Sequence, residues 1–329
     1  MPSPDLHLAL ILQSGHLSNE EVAGRPPLTQ DRTSSTRGGI VAEQGSPTVG
    51  VIGLGDIGRG VAASCASAGL SLVVCDLREE ALAAFTDQAI VTTSPAVLAT
   101  QSDVVVVAVV NDAQVLSVTT GPDGVLSSAT PGSVLVIVST ISPAALARVA
   151  EAATAAGVAV VDCGVSGGPA AAASGELISM VGGSEQDIAA AAPVLEAMSS
   201  LVVRMGDLGT GLLAKLARNV VQYGGWLAAY EGQRIAEAGG IELGKLAQVI
   251  RASDAKIGGA ATLMFRPTVT PFGPDDHEGL VASMSAGAAL AAKDLGAALE
   301  AAAELGLVLP GVEVTASHIN DVFGVGGAS

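Results

Sequence analysis

Between residues 49 and 161 of this 329-residue chain, five short valine-rich runs alternate with longer alanine-rich segments, and this alternation constrains the fold more than any other feature. The runs are Val49–Gly53, Leu72–Cys75, Val104–Val110, Val134–Val138 and Val158–Val161. A strand reads as a short, uninterrupted apolar run when both faces of its sheet are covered, and parallel strands need a crossover between them that is usually helical. The pattern therefore predicts an α/β domain whose parallel sheet lies between layers of helix. Strand signals stop after Met205, where long Ala/Leu segments take over, so an all-helical C-terminal domain is expected. Its first helix is predicted over Thr210–Ala238 with Gly239-Gly240 as the stop signal, and others near Leu243–Ser253, Gly279–Leu305 and Pro310–Val322. Residues 265–278, rich in Pro, Gly and acid, read as a loop, and residues 1–46 as a mobile, disordered extension.

Composition narrows the function classes. A chain this long exceeds the ~250–300 residues at which single cores stop growing, which agrees with two domains. Hydrophobic residues at 49% against 14% charged exclude a mainly disordered protein. Fifteen Lys and Arg against 32 Asp and Glu give a net charge of -17, which repels a phosphate backbone and argues against nucleic acid as a partner. Mean hydropathy is +0.54, yet no run of about 18 purely apolar residues is present, so no membrane span is expected. The apolar segment Leu6–Leu12 lacks the preceding basic residues of a secretory signal, and a cytoplasmic location is expected. Cys65, Cys75 and Cys163 are odd in number and not closely paired, which favours reduced thiols over a disulfide framework or a zinc ribbon.

The segment Val49-Gly50-Val51-Ile52-Gly53-Leu54-Gly55-Asp56-Ile57-Gly58 is a strand running into G-x-G-x-x-G and then an Ala-rich helix. Gly53 permits the tight turn, Gly55 lets backbone approach a pyrophosphate, and Gly58 lets the helix pack closely, while amides at the helix start face the phosphates. In a chain with 41 glycines the pattern alone is weak. Its context, with Asp76 closing the next strand, makes it a dinucleotide fingerprint and the domain Rossmann-type. A carboxylate there accepts bonds from the adenosine ribose hydroxyls and repels a 2′-phosphate, which favours NAD, with NADP as the alternative because Arg78 is close by. Residues 47–208 are thus expected to be a dinucleotide-binding domain. The helical domain, 209–329, would serve the substrate and oligomerisation and begin with a long interdomain helix.

Further motifs follow in order. Asp162-Cys163-Gly164-Val165-Ser166-Gly167-Gly168-Pro169 comes after the fifth run, Gly209-Thr210-Gly211-Leu212-Leu213-Ala214-Lys215-Leu216-Ala217-Arg218-Asn219 opens the long helix, and Lys293-Asp294-Leu295 lies in a charge-poor stretch. Ser166, Gly167 and Gly168 offer a hydroxyl and unhindered amides on which a carboxylate can dock. Lys215 and Asn219 stand one helical turn apart on one face. Apolar neighbours such as Leu212 and Leu216 lower a lysine's proton affinity, which suits proton exchange with an alcohol. Cys163 reads better as a small buried residue than as a redox thiol, and Asp275-Asp276-His277-Glu278 as a solvated turn rather than a metal site.

With the N-terminal fingerprint, these segments resemble the ordered signatures of the β-hydroxyacid dehydrogenase family, which includes 3-hydroxyisobutyrate dehydrogenase, tartronate semialdehyde reductase and L-threonate dehydrogenase. The resemblance runs from about Thr48 to the C-terminus. It implies that Lys215 is the general acid/base, that Asn219 orients it or the substrate, and that Ser166-Gly167-Gly168 hold the substrate's acid group. It also implies that Thr140, of the pair Ser139-Thr140, contacts the cofactor, and that Lys293 lies beside the nicotinamide. Asn111 closes the third run at another strand end where ligands gather; the run around it, Val109–Gln114, is similar to the L-threonate dehydrogenase branch. The family usually has Pro where Gly164 stands and Asn where Arg218 stands. The resulting expectation is a metal-independent, NAD(P)-dependent dehydrogenase or reductase acting on a small hydroxyacid as a homodimer or homotetramer. The alternatives are an NADPH-dependent imine reductase and a non-catalytic nucleotide-binding scaffold.

Overall fold

The computed structural model describes residues 46–326, so the extension expected over 1–46 lies, Ser46 apart, outside the described residues. Two compact units divide between Asn219 and Val220.

The first unit is built on an eight-stranded sheet: β1 (Thr48–Ile52), β2 (Ser71–Cys75), β3 (Ile90–Thr92), β4 (Val104–Val107), β5 (Val134–Ile137), β6 (Ala159–Ser166), β7 (Leu177–Gly182) and β8 (Ser199–Gly206). Their order is β3-β2-β1-β4-β5-β6-β7-β8, and every adjacent pair is parallel except β6 and β7. Between the strands run helices α1 (Asp56–Ser67), α2 (Glu79–Ala83), α3 (Pro95–Ala99), α4 (Asp112–Thr120), α5 (Pro143–Ala156), α6 (Gly168–Ser174) and α7 (Glu185–Met198). The valine runs feed both faces. Val49, Val51, Val104 and Val106 enter one core, while Ile52, Val105 and Val107 enter the other, so alternate residues of a strand are buried on opposite sides. Several helix starts are set by short polar side chains. Ser94, Asn111, Ser142 and Ser184 accept hydrogen bonds from Val97, Gln114, Ala145 and Asp187 amides, and Pro95 and Pro143 stand in the first turns that follow.

The structure revises the sequence reading in three places. The third run ends as a strand at Val107 rather than Val110, because the Val109 amide turns to the Ser139 hydroxyl. The fifth run does not stop at Val161. It continues through Ser166, where β7 pairs antiparallel with it from Asp162↔Gly182 to Ser166↔Ile178. Strands β3, β7 and β8 have no counterpart among the five runs, because polar and exposed residues interrupt them.

The long helix α8 (Thr210–Ala238) has the predicted bounds and crosses the division, giving residues 210–219 to the first unit and the remainder to the second. The second unit adds α9 (Leu243–Ile257), α10 (Glu278–Glu304) and α11 (Pro310–Val322). Glu231, buried within it, accepts bonds from the Gly311 and Val312 amides, each at 2.8 Å, and so ties α8 to the first turn of α11. Gly287 of α10 lies under the Phe323 ring, with no room for a side chain. By contrast, α9 buries no residue. The acidic segment after Gly273 is a turn in which the Asp276 carboxylate accepts the Gly273 amide at 2.7 Å.

Candidate active site

Ligands of open α/β sheets bind where neighbouring strands send their connections to opposite faces, beyond the carboxyl ends of the strands. Here that point lies between β1 and β4. A cavity of about 670 Å³ opens there, lined by Gly53, Gly55, Asp76, Arg78, Val109 and Val110 among others. Gly53 has φ +88°, and a Cβ on it would lie 2.7 Å from the Ala108 carbonyl oxygen, so only glycine makes this turn without strain. A Cβ on Gly55 would meet nothing within 4 Å, which leaves open space beside its backbone. One on Gly58 would overlap the Gly53 carbonyl oxygen, so α1 starts directly against the end of β1. Leu54 is buried, Ile57 is half-buried, and Asp56 is exposed in the first turn of α1. These observations fit a pyrophosphate approached by bare backbone.

Asp76, just after β2, holds this loop from the side. Its Oδ2 accepts the Leu54 amide at 2.7 Å, and its two oxygens accept the Arg78 guanidinium at 3.0 and 2.9 Å. The Arg78 bonds, more than the backbone ones, hold the Asp76 carboxyl down at about 2. Asp76 and Arg78 are therefore one unit at the rim of the cavity, a pairing that sequence separation alone left open. Leu77 between them is 86% exposed and presents an apolar surface at the same rim.

At the ends of β4 and β5, Asn111 Oδ1 accepts the Gln114 amide while Gln114 Oε1 accepts the Val110 amide, each at 2.9 Å, so Asn111 is fixed as the cap of α4. Ser139 is buried and bridges Val109 through its hydroxyl, leaving Thr140 exposed beside it. Ser142 donates both its amide and its hydroxyl to Asp112, which lowers that carboxyl's pKa.

Further along the sheet, β6 meets the start of α8. A Cβ on Gly164 would lie 2.5 Å from Lys215 Cβ and 2.7 Å from the Gly211 carbonyl oxygen, so strand and helix touch at the lysine. Asp162, Gly164 and Ser166 share one strand face. Asp162 meets the helix at Gly209 and Leu212, and Gly164 meets it at Gly211 and Lys215, so strand and helix advance in the same direction here. Ser166, Lys215 and Asn219 are all half-buried. Burial, and then the positive charge of Arg218, lower the Lys215 pKa from its ordinary 10.5. Gly167, with φ +124°, and Gly168, with φ +75°, turn the chain from β6 into α6. Lys293, in the second unit, pairs with Asp294 at 3.1 Å on an exposed stretch of α10. The three thiols are free and buried; burial pushes Cys163 up to about 12, which makes it a packing residue rather than a nucleophile.

The site residue that the sequence reading passed over is Asp162. Its carboxylate is fully buried and accepts the Gly209 and Leu212 amides at the start of α8. The signal was present, since an aspartate inside the apolar run Val158–Cys163 must find partners if it is buried.

A reversing sheet with a glycine turn and an acidic residue closing the neighbouring strand defines a dinucleotide-binding α/β protein. Residues 48–206 match the NAD binding domain of 6-phosphogluconate dehydrogenase. An uncharacterized oxidoreductase of Mycobacterium tuberculosis is 37% identical, over 72% of this chain and 80% of its own length. Human mitochondrial 3-hydroxyisobutyrate dehydrogenase is 32% identical, over 77% and 75%. The structure of Mycobacterium tuberculosis 3-hydroxyisobutyrate dehydrogenase with L-serine superposes with a TM-score of 0.60 at 26% identity, covering 83% of this chain and 92% of that one. Imine reductases share the fold at 19% identity, a likeness of fold alone. The chain belongs to the β-hydroxyacid dehydrogenase family, among the 3-hydroxyisobutyrate dehydrogenase-like proteins, and is an NAD(P)-dependent oxidoreductase.

Proposed function

We propose that this enzyme interconverts a small β-hydroxy acid and its semialdehyde or keto form, with Lys215 as general acid/base and NAD preferred over NADP. The contact of Gly164 with Lys215 carries the reading, because it sets the lysine on the strand face that continues to Ser166. The nicotinamide, when bound, supplies the hydride acceptor for oxidation and the donor for reduction. Gly53, Leu54, Gly55, Asp56, Ile57 and Gly58 would hold the pyrophosphate and Asp76 the ribose, with Asn111, Thr140 and Lys293 toward the nicotinamide end. Ser166, Gly167 and Gly168 would bind the substrate carboxylate through the hydroxyl and amides. Lys215 in its neutral form takes the alcohol proton during oxidation, and its ammonium returns a proton to the carbonyl oxygen in reduction. Asn219, one turn along, orients the lysine or the substrate hydroxyl. In this reading residues 47–208 form the cofactor domain and 209–329 the substrate and oligomerisation domain.

Two coarser features extend the proposal. Free, buried thiols suit a reducing cytoplasm. Helix α9, with no buried residue, and the exposed Tyr223, Trp226 and Tyr230 of α8 suit a homodimer or homotetramer in which these surfaces are covered. The test is a panel of 3-hydroxyisobutyrate, L-serine, L-threonate, glycerate and a cyclic imine, followed at the NADH absorbance band. Turnover of one or more hydroxyacids is expected. Turnover of the imine alone would assign an imine reductase, and cofactor binding without any turnover a scaffold.

A further inference from the structure

We infer that Asp162 is a positioning residue for the reaction, acting through Lys215 by fixing the first turn of α8 against β6. The inference rests on the reading of Lys215 as the acid/base.

The first amides of a helix have no partner within it, and their aligned dipoles favour a negative charge. Asp162 supplies that charge from another element. Its Oδ1 accepts the Gly209 amide and its Oδ2 the Leu212 amide, both at 2.7 Å, with the side chain at 0% exposure. Charge-assisted bonds of this length in a dry setting define where a helix begins. The surroundings are shaped to the same end. A Cβ on Gly182 would overlap Asp162 Oδ1, and one on Gly211 would lie 2.5 Å from the Met180 carbonyl oxygen and 2.7 Å from that of Asp162. Bare backbone therefore lets the helix press onto the β6–β7 pair. Lys215 is about one turn beyond the second capped amide, that of Leu212, and Gly164, two residues beyond Asp162, touches it. One short stretch of strand thus sets both the start of the helix and the placement of its lysine. A proton carrier displaced by about 1 Å loses on the order of a hundredfold in rate.

Asp162→Asn preserves shape but turns one acceptor into a donor facing an amide, and Asp162→Glu keeps both oxygens but moves them by one methylene. Each is made in the full chain and examined three ways: hydrogen exchange of the peptide spanning 209–216, coenzyme affinity, and kcat on the panel acid that the wild type turns over fastest. Expected are at least tenfold faster exchange, coenzyme affinity within about twofold of wild type, and kcat lowered roughly 10- to 100-fold. In the Lys215→Ala background Asp162→Asn should lower kcat no further, because the group it positions is gone. Ser184→Ala, which removes the side-chain cap of α7 away from this contact, should lower thermal stability and leave kcat unchanged. Faster exchange with wild-type kcat overturns the inference, and so does a kcat loss that persists in full in the Lys215→Ala background. If both Asp162 variants fail to fold, Asp162 serves the stability of the fold alone and the inference is wrong. Full activity of Lys215→Ala itself would instead defeat the reading beneath it.

Discussion

At Lys215 two opposing requirements meet, since an acid/base must lose its proton readily yet remain able to take one back. Its half-buried setting and the charge of Arg218 lower its pKa from 10.5 and bring its titration nearer to working pH. Oxidation, which needs the neutral amine, should therefore rise with pH through a value below 10.5, and reduction should fall over the same range. Lys215→Ala should flatten both limbs and slow turnover by roughly two to four orders of magnitude while cofactor still binds, as measured by steady-state pH profiles and calorimetry. At the other end of the site, Asp76 does more than close a strand: it restrains Arg78. Replacing it with Ser removes a carboxylate that repels a 2′-phosphate and releases a guanidinium that attracts one, so the ratio of kcat/KM for NAD over NADP should fall at least tenfold. A wild type already more efficient with NADP would reverse the assignment. The types of these residues were legible in the sequence, because lysine on an apolar helix face and aspartate at a strand end each stand out locally. Their partners were not. The Asp76–Arg78 fork depends on a side-chain rotation, and the reach of Asp162 to α8 spans about fifty positions of chain that only the folded sheet brings together.

Among the elements, the central strands were readable because they are buried on both faces, which removes polar residues from β4 and β5 and from all but the first positions, Thr48 and Ser71, of β1 and β2. Strands β3 and β8 were not, since they form the edges of the sheet, where Ile90 and Leu201 are among the exposed residues and the apolar run breaks up. The second half of β6 was lost for another reason: Asp162–Ser166 reads as loop chemistry and becomes strand only when β7 lies alongside it. Helices α8 and α11 were predicted with the bounds they have, because glycine and proline punctuate their ends. The turn joining β1 to α1 gives a test at this scale. In Gly58→Ala the new methyl meets the Gly53 carbonyl, which has nowhere to go while φ of Gly53 stays at +88°. Helix α1 must then move off the strand end. Cofactor affinity should drop at least tenfold, with a smaller loss of thermal stability, as measured by calorimetric titration and melting.

The whole molecule combines two kinds of unit. The first has apolar clusters on both faces of a continuous sheet. In the second, α10 and α11 pack together and Glu231 ties α8 to α11, but α9 leaves Val249, Ile250 and Ile257 in the open. If these surfaces meet those of another copy, sedimentation at micromolar concentration should give a dimer or tetramer. Charge introduced at Trp226 or Ile250 should shift the protein toward monomer. A wild-type chain that sediments as a stable monomer would remove the assembly from the proposal. A helix of fifteen residues with nothing buried has little reason to persist in water on its own, since packing rather than propensity holds most protein helices together. If a second copy covers α9, the law of mass action enters folding itself. Each tenfold rise in protein concentration should stabilise a dimer by about 1.4 kcal/mol, so that its melting temperature climbs with concentration and the amount of enzyme a cell makes sets the fraction that stays folded.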